Sequence, residues 1–213
     1  MPSLVQGHID GVLRPGLLPT GTGRVIIVES APTWNPANKG GNTTLTNSNT
    51  TISTGIAGWT SAISLVAKNS GKYHGEMTID VIDAASSPVF GVARLDAVNN
   101  TYLGNQGRVD VVVQGKAGGS VYVWNSDTQL AGTGLSVASV GTRACVSVDF
   151  DAGKIWVGLN GAYYNSGNPV TGTNPTATFT AGTTLGLAAS VYNTGKGTLV
   201  VPIHTPTGYS NFV

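Results

Sequence analysis

The sequence has few charged side chains. Lys and Arg total 11 and Asp and Glu total 10, so charged residues make up 10% of the 213 residues, against about a quarter in ordinary soluble domains. The formal net charge is +1 and the basic residues are scattered along the chain. Because nucleic-acid binding depends on clustered basic residues that displace counterions, we expect no nucleic-acid partner.

Cysteine and long apolar runs are also scarce. The single cysteine, Cys145, excludes an intrachain disulfide and a zinc site built on cysteines, and its apolar neighbours predict a buried structural thiol. No stretch has the roughly 18 consecutive apolar residues of a membrane span, and residues 1–4 do not begin a secretory signal. We therefore expect that the protein does not insert into a membrane. We also expect that it is made in the cytoplasm.

The sequence does contain short segments in which apolar and polar residues alternate, and turn residues separate these segments. Apolar and polar residues alternate from residue 146 to 150 and again from 155 to 159, as in strands with one buried face. Between them, Asp151-Ala152-Gly153 is a turn signal, and Asn160-Gly161 predicts a second tight turn. This segment is therefore predicted to be a β-hairpin.

The same pattern recurs along the chain and predicts an all-β protein. No stretch shows helical periodicity over three turns, and one helical turn is expected near residues 96–99. The predicted strands cover residues 24–29, 43–45, 50–53, 61–67, 71–82, 89–94, 108–114, 120–124, 144–150, 154–159, 185–191 and 198–202. Trp124 and Trp156 lie within alternating segments and are predicted to be core residues.

Residues 1–32 differ from the rest of the chain. Pro2, Pro15, Pro19 and Pro32 and several glycines punctuate the segment, which predicts an extended N-terminal arm rather than a long helix or strand. Residues 33–213 are then predicted to form one domain. We expect the arm to dock on protein neighbours through its apolar residues, which are Leu4, Val5, Ile9, Val12, Leu13, Leu17, Leu18, Val25 and Ile27.

Several segments resemble the SPRY family, whose members are concanavalin-like sandwiches. The hairpin at residues 148–172 matches the family's "D...G.i.f..NG" words, and residues 33–53 and 70–81 resemble SPRY modules of bacteriophage structural proteins. Residues 184–192 match a later strand motif of the family, and residues 206–209 match its C-terminal motif. All these motifs occur in the same order as in the family. One departure is that His74-Gly75 replaces an aromatic residue that the family carries in the strand at residues 70–81.

The resemblance implies a two-sheet antiparallel β-sandwich of jelly-roll type. It also implies that partners bind through loops gathered at one rim, and the longest predicted connections are residues 96–107, 125–141 and 163–182. Loops of this length in a compact domain usually have a function. The candidate binding residues in them are Tyr102, Asn105, Asp127, Tyr163, Tyr164 and Asn165.

Because concanavalin-like sandwiches include glycoside hydrolases, a pair of carboxylates flanking one bond would indicate an enzyme. The chain has two glutamates, Glu29 and Glu76. The strand that carries Glu76 and Asp80 is superficially similar to the Glu-x-Asp-x-Glu strand of some sandwich glucanases, but Thr78 replaces the middle acid and the last glutamate is absent. The histidines are His8, His74 and His204, but the sequence has no Gly-x-Ser-x-Gly elbow that would supply a nucleophilic serine. It also has no phosphate-binding glycine motif. We expect no enzyme, no catalytic residue, no cofactor and no metal site.

The phage resemblance implies a structural and binding protein of a virus particle. The expected role is a decoration (cement) protein on a bacteriophage head, located in the virion and assembled in the host cytoplasm. Its expected partners are the major capsid protein or other virion subunits, with further copies of itself in a homo-oligomer or lattice, and a host surface glycan or protein at the loops. The alternatives are a receptor-binding tail or baseplate protein, a peptide-binding SPRY adaptor and a carbohydrate-active enzyme.

Overall fold

A computed structural model describes residues 29–82, 88–97, 102–103, 110–115, 121–130, 134–135 and 138–213. Residues 31–213 form one compact unit. Several predicted features lie outside the described residues: the candidate docking residues of the arm, Asn105, most of the predicted strand at 24–29 and half of the predicted helical turn at 96–99.

Nearly all regular secondary structure in the described residues is β-strand, which confirms the predicted fold class. The strands are β1 (Trp34–Lys39), β2 (Thr44–Thr46), β3 (Thr51–Ser53), β4 (Trp59–Lys68), β5 (Lys72–Val81), β6 (Val89–Arg94), β7 (Asp110–Gly115), β8 (Val121–Asn125), β9 (Thr128–Leu130), β10 (Arg143–Asp149), β11 (Lys154–Leu159), β12 (Ala162–Tyr163), β13 (Ala177–Thr178), β14 (Leu185–Tyr192), β15 (Lys196–Val200) and β16 (Ser210–Asn211). A 3-10 turn lies at Tyr164–Ser166.

The strands form two sheets. The seven-stranded sheet has the order β1-β4-β14-β6-β7-β8-β9, and the nine-stranded sheet has the order β12-β11-β10-β5-β15-β3-β2, with β13 paired to β11 and β16 paired to β5. Neighbouring strands are antiparallel except for β16, which runs parallel to β5. The predicted antiparallel two-sheet sandwich is therefore confirmed.

The predicted hairpin explains how the sequence builds the core. In the pairing of β10 with β11, Val146 lies opposite Val157 and Val148 lies opposite Ile155, and all of them belong to the main buried cluster. Asn160 and Gly161 have φ of 49° and 78°, the left-handed conformation that an Asn-Gly turn adopts readily. The period of two thus directs one side of each strand between the sheets and the other side outward.

The outward side of the nine-stranded sheet is itself buried. His74 and Glu76 of β5 and Ser147 of β10 point away from the core, yet each is 0% exposed. Residues after β15 cross this outer face and then turn back, so that β16 pairs with β5 at Tyr73 and His74. The polar outer side of β5 and β10 is consequently enclosed.

The outward side of the seven-stranded sheet carries a second, smaller apolar cluster. Ile63, Val89, Ala93, Val112 and Ala188 are buried there, together with Ala97 and Leu103 from the chain after β6. Trp124 packs at its margin and is half-buried. The prediction that Trp124 is a core residue is therefore wrong. Trp156 is fully buried as predicted, and it lies on the outer side of β11, opposite Ser147.

Several short strands escaped the sequence patterns. The predicted connection at residues 125–141 contains β9, which follows β8 through a tight turn at Ser126 and Asp127. Both turn residues have positive φ, 43° and 72°, although neither is glycine or asparagine. The turn therefore carries no Asn-Gly or Asp-Gly signal.

Phe212 closes one end of the sandwich, and its removal is expected to destabilise the fold. The ring is 0% exposed, and its centroid lies 5.6 Å from that of Tyr73 and 6.3 Å from that of Phe150. We expect Phe212→Ala to lower the free energy of unfolding by about 3–5 kcal/mol, measured by urea denaturation. The control Val213→Ala alters a half-exposed neighbour and should change it by less than about 0.5 kcal/mol; equal effects of the two variants would contradict this packing.

Candidate functional site

Glu76 is a buried carboxylate at the centre of a polar cluster on the outer face of the nine-stranded sheet. It lies on β5, opposite Cys145 of β10 in the strand pairing, and is 0% exposed. A buried charge costs several kcal/mol unless it is paired and hydrogen-bonded. The groups around Glu76 therefore determine whether this arrangement is stable.

One carboxylate oxygen, Oε1, accepts hydrogen bonds from two directions. His74 of the same strand donates from Nε2 at 3.2 Å. The bend after β15 supplies the backbone N–H groups of Ile203 at 3.2 Å and His204 at 2.8 Å, and the His204 ring lies with Nδ1 at 2.9 Å. Glu76 thereby anchors the bend at residues 201–204 against the sheet.

The other oxygen, Oε2, is paired with Arg143 at the start of β10. Arg143 Nη1 donates to Oε2 at 2.7 Å and also to the carbonyl oxygen of Val201 at 3.1 Å. The Arg143 backbone N–H donates to the Asn160 side chain at 2.9 Å. The guanidinium therefore neutralises the buried carboxylate and links it to the bend and to the turn after β11.

His74 extends the cluster to two hydroxyl groups. Its Nδ1 lies 2.8 Å from Ser147 Oγ, and Ser147 Oγ lies 2.8 Å from the Tyr163 hydroxyl. Because an ionised carboxylate can only accept, Nε2 is the donor to Glu76, and Nδ1 of a neutral ring accepts from Ser147. Tyr163 can then donate to Ser147, which completes a hydrogen-bonded chain from Tyr163 to Glu76.

The hydrogen bonds around Glu76 keep its carboxylate ionised. We name this group of residues the Glu76 cluster; it consists of His74, Glu76, Arg143, Ser147, Tyr163 and the bend at residues 201–204. Burial by itself raises the pKa of Glu76, but hydrogen bonds from His74, Arg143 and the His204 backbone outweigh burial and lower the pKa from 4.5 to about 2. Burial raises the pKa of the Tyr163 hydroxyl, and it raises that of the Cys145 thiol to about 12. Neither a general acid at Glu76 nor a reactive thiolate at Cys145 fits these environments near neutral pH.

Ser147 contacts His74, and His74 contacts Glu76, which is the order of contacts in the serine, histidine and carboxylate triad of hydrolases. The three side chains are, however, enclosed. Ser147, His74 and Glu76 are all 0% exposed, so a substrate cannot reach Ser147 Oγ. The sequence patterns did not find this cluster. The signal that could have revealed it is the register of β5 and β10, in which His74 lies opposite Ser147.

No metal site is formed by the described acid, histidine and cysteine side chains. The histidines next to Glu76 are hydrogen-bonded to it, and Arg143 already supplies the positive charge. A separate shallow depression of about 510 Å³ lies where β6 ends and β14 begins, in the middle of the seven-stranded sheet. It is lined by Arg94, Leu95, Asp96, Thr183 and Thr184. Within the described residues, no helix is long and apolar enough to cross a membrane.

The structure distributes the candidate loop residues over both sheets. Tyr163 belongs to β12 and to the Glu76 cluster, Tyr164 packs against the main core, and Asn165 is exposed in the 3-10 turn. Asp127 is exposed in the turn between β8 and β9 of the other sheet. Tyr102 lies on the outer face of the seven-stranded sheet.

Tyr102 is part of a row of half-buried aromatic rings that we name the aromatic patch. The patch consists of Trp59, Tyr102, Trp124 and Tyr192. Ring centroids are 5.2 Å apart for Tyr192 and Trp59, 4.6 Å for Trp59 and Tyr102, and 5.4 Å for Tyr102 and Trp124. The rings meet edge to face or at a tilt, with interplanar angles from 49° to 80°.

Gln114 holds two of these rings in place. Its side-chain carbonyl accepts from the Tyr102 hydroxyl and from Trp124 Nε1, both at 3.2 Å. An indole nitrogen can only donate, so the oxygen of the Gln114 amide must face Trp124. The aromatic patch is therefore fixed from beneath by a largely buried polar group.

The pKa of Glu76 predicts how stability depends on pH. Its folded value of about 2 lies below the ordinary 4.5, so the stabilisation is complete above about pH 4.5 and is lost as pH falls towards 2. The shift corresponds to about 3 kcal/mol. We expect Glu76→Gln to lower the free energy of unfolding by about that amount at pH 7, and the gap from the wild-type protein should narrow progressively below pH 4.5 in urea denaturation.

A matched control for this variant is Asp151→Asn. Asp151 is exposed and accepts a backbone hydrogen bond from Gly71. Loss of its charge should therefore lower the free energy of unfolding by less than about 1 kcal/mol. Parallel pH profiles for Glu76→Gln and the wild-type protein would show that Glu76 is not held ionised by the fold.

The comparisons with known proteins identify the fold. No protein-family model matches the chain, and no curated protein matches it. Among solved structures, it is similar to the SPRY domain of human HERC1, with a TM-score of 0.56 and 14% identity over 78% of this chain and 96% of that domain. It is also similar to the PSpry domain of TRIM65, with a TM-score of 0.53 and 13% identity over 81% of this chain and 90% of the other.

A third similar structure is stonustoxin. The TM-score is 0.54 and the identity 10%, and the match covers 79% of this chain but 28% of the toxin chain. At these identities the likeness concerns the backbone arrangement alone. The sandwich that carries the Glu76 cluster and the aromatic patch has the fold of SPRY domains.

Proposed function

We propose that this chain is a non-enzymatic binding protein of a virus particle, namely a decoration protein on the head of a tailed bacteriophage. In this role the N-terminal arm docks on capsid subunits and the sandwich is displayed outward. The proposal combines the SPRY fold, the enclosed polar cluster and the phage-like segments at residues 33–53 and 70–81.

The observation that carries the non-enzymatic part is the state of Glu76. It is one of two glutamates in the chain, it is enclosed, and its oxygens are engaged by His74, Arg143 and the bend at residues 201–204. A glycosidase acid needs access to the scissile bond and a raised pKa. Glu76 has neither, so its role is to hold the outer layer of the domain.

The virion part is supported by the sequence. Residues 33–53 and 70–81 resemble the opening segments of SPRY modules in bacteriophage structural proteins. The net charge of +1 supports a protein that associates with other subunits, because a net charge near zero favours association. In this proposal the arm buries the apolar side chains of Leu4, Val5, Ile9, Val12, Leu13, Leu17, Leu18, Val25 and Ile27 against capsid neighbours. Each Å² of apolar area would contribute about 25 cal/mol, less the cost of association.

The copy number per particle tests this proposal. A decoration protein covers a lattice, so quantitative mass spectrometry of purified particles should give a simple whole-number ratio to the major capsid protein. A ratio of a few per cent would instead place the protein on the tail and favour a receptor-binding role. Absence from the particles would overturn the virion proposal and favour an adaptor.

Removal of residues 1–32 supplies the control for the docking mechanism. Since residues 31–213 form a compact unit, we expect the truncated protein to keep its thermal unfolding transition but not to attach to particles that lack the protein. Attachment of the truncated protein at wild-type occupancy would show that the arm is not the docking element.

A further inference from the structure

We propose that the aromatic patch on the seven-stranded sheet is a binding site for neutral polysaccharide chains. The inference deepens the proposed function and rests on it, since it names the ligand class of the displayed surface. It also moves the ligand site away from a rim of loops and onto a sheet face. Three features of the patch support it: the arrangement of the rings, the polar group beneath them and the uncharged side chains.

The rings offer the contact that a sugar needs. An aromatic ring has a negative face and a positive edge, so the polarised C–H groups on the apolar side of a pyranose pack favourably on its face. Trp59, Tyr102, Trp124 and Tyr192 are half-buried, and neighbouring centroids are 4.6–5.4 Å apart. A row of this length can contact more than one sugar unit.

Gln114 gives the patch a polar group with a fixed orientation. Its carbonyl accepts from Tyr102 and Trp124, which fixes the orientation of the amide group beneath the two rings. Ligand sites typically combine aromatic walls with a few positioned polar groups of this kind. Because the side chain is only 4% exposed, its contribution to the patch is to hold the Tyr102 and Trp124 rings in place.

Charge and side-chain type separate a glycan from other occupants. Trp59, Tyr102, Gln114, Trp124 and Tyr192 carry no charge near neutral pH, so nothing in the patch would pair with phosphates or acidic peptides. The strongly exposed aliphatic residues lie outside the patch, for example Leu65, Val140 and Ile203. Aromatic rings with an amide beneath them fit a neutral polyhydroxylated chain better than an aliphatic protein surface.

The tryptophans provide a reporter for the test. Of the four in the chain, Trp34 and Trp156 are 0% exposed, whereas Trp59 and Trp124 are half-buried in the patch. A ligand on the patch should shift the fluorescence of the full chain to shorter wavelength and reduce its quenching by acrylamide. The probes are maltohexaose, cellohexaose, mannohexaose and chitohexaose, each titrated separately into the purified full chain.

We expect a saturable change with at least one of these probes, and at least about tenfold weaker binding for Trp59→Ala and for Trp124→Ala, measured by calorimetry. Tyr102→Phe keeps the ring and should bind within about threefold of the wild-type protein. The matched control Tyr209→Ala removes a half-buried aromatic residue on the other sheet and should leave the affinity unchanged. Thermal melting of every variant distinguishes loss of binding from loss of folding.

Two results would overturn the inference. One is the absence of a saturable signal with all four probes, or unchanged affinity in both tryptophan variants. The other is protection from acrylamide that grows with protein concentration while sedimentation shows dimers, which would make a second copy the occupant. Because glycan binding is measured on the isolated chain, its failure would leave the particle copy number as an independent test of the proposed function.

Discussion

The buried charge of Glu76 is the constraint on which the outer layer of the nine-stranded sheet depends. A carboxylate without solvent is tolerated only when donors surround it, and here the donors come from separate parts of the chain: His74 on β5, Arg143 on β10 and the bend at residues 201–204. One side chain therefore ties the C-terminal segment to the centre of the sheet. With the bend held in this position, the chain can return along β5 and place Phe212 in the core.

The two outer faces of the sandwich consequently have different properties. On the nine-stranded sheet, polar groups that would suit catalysis or ligand binding are consumed by one another and enclosed. On the seven-stranded sheet, the outward side chains are apolar and aromatic, and the aromatic patch keeps its rings half-buried above Gln114. The proposed binding role belongs to the second face, and the polar groups of the first face hold the structure together.

The sequence predicted the strands well where alternation and turn chemistry agreed. The hairpin of β10 and β11 is the clearest case, because Asn160-Gly161 and the apolar periods specify the same structure. The Glu76 cluster could not be predicted in this way, since His74 and Ser147 become neighbours only through the register of two strands that are far apart in sequence. Trp124 was placed on the correct strand but not in the correct environment. When both sides of a strand are apolar, a period of two does not tell which side faces the core, and Val112 opposite Trp124 is buried on the outer side.

The central structural claim is that Glu76 holds the layer that encloses β5 and β10, and Cys145 is the residue that tests it. This single thiol lies opposite Glu76 and is buried, so it reacts with a thiol reagent only when the layer opens or the protein unfolds. The measurement is the native-state labelling rate of Cys145 in the wild-type protein, in Glu76→Gln and in Val92→Ala, which weakens the core between the sheets. The account predicts that Glu76→Gln labels faster than its global unfolding permits, whereas Val92→Ala labels at the rate set by global unfolding. Labelling of Glu76→Gln no faster than its global unfolding would contradict the claim.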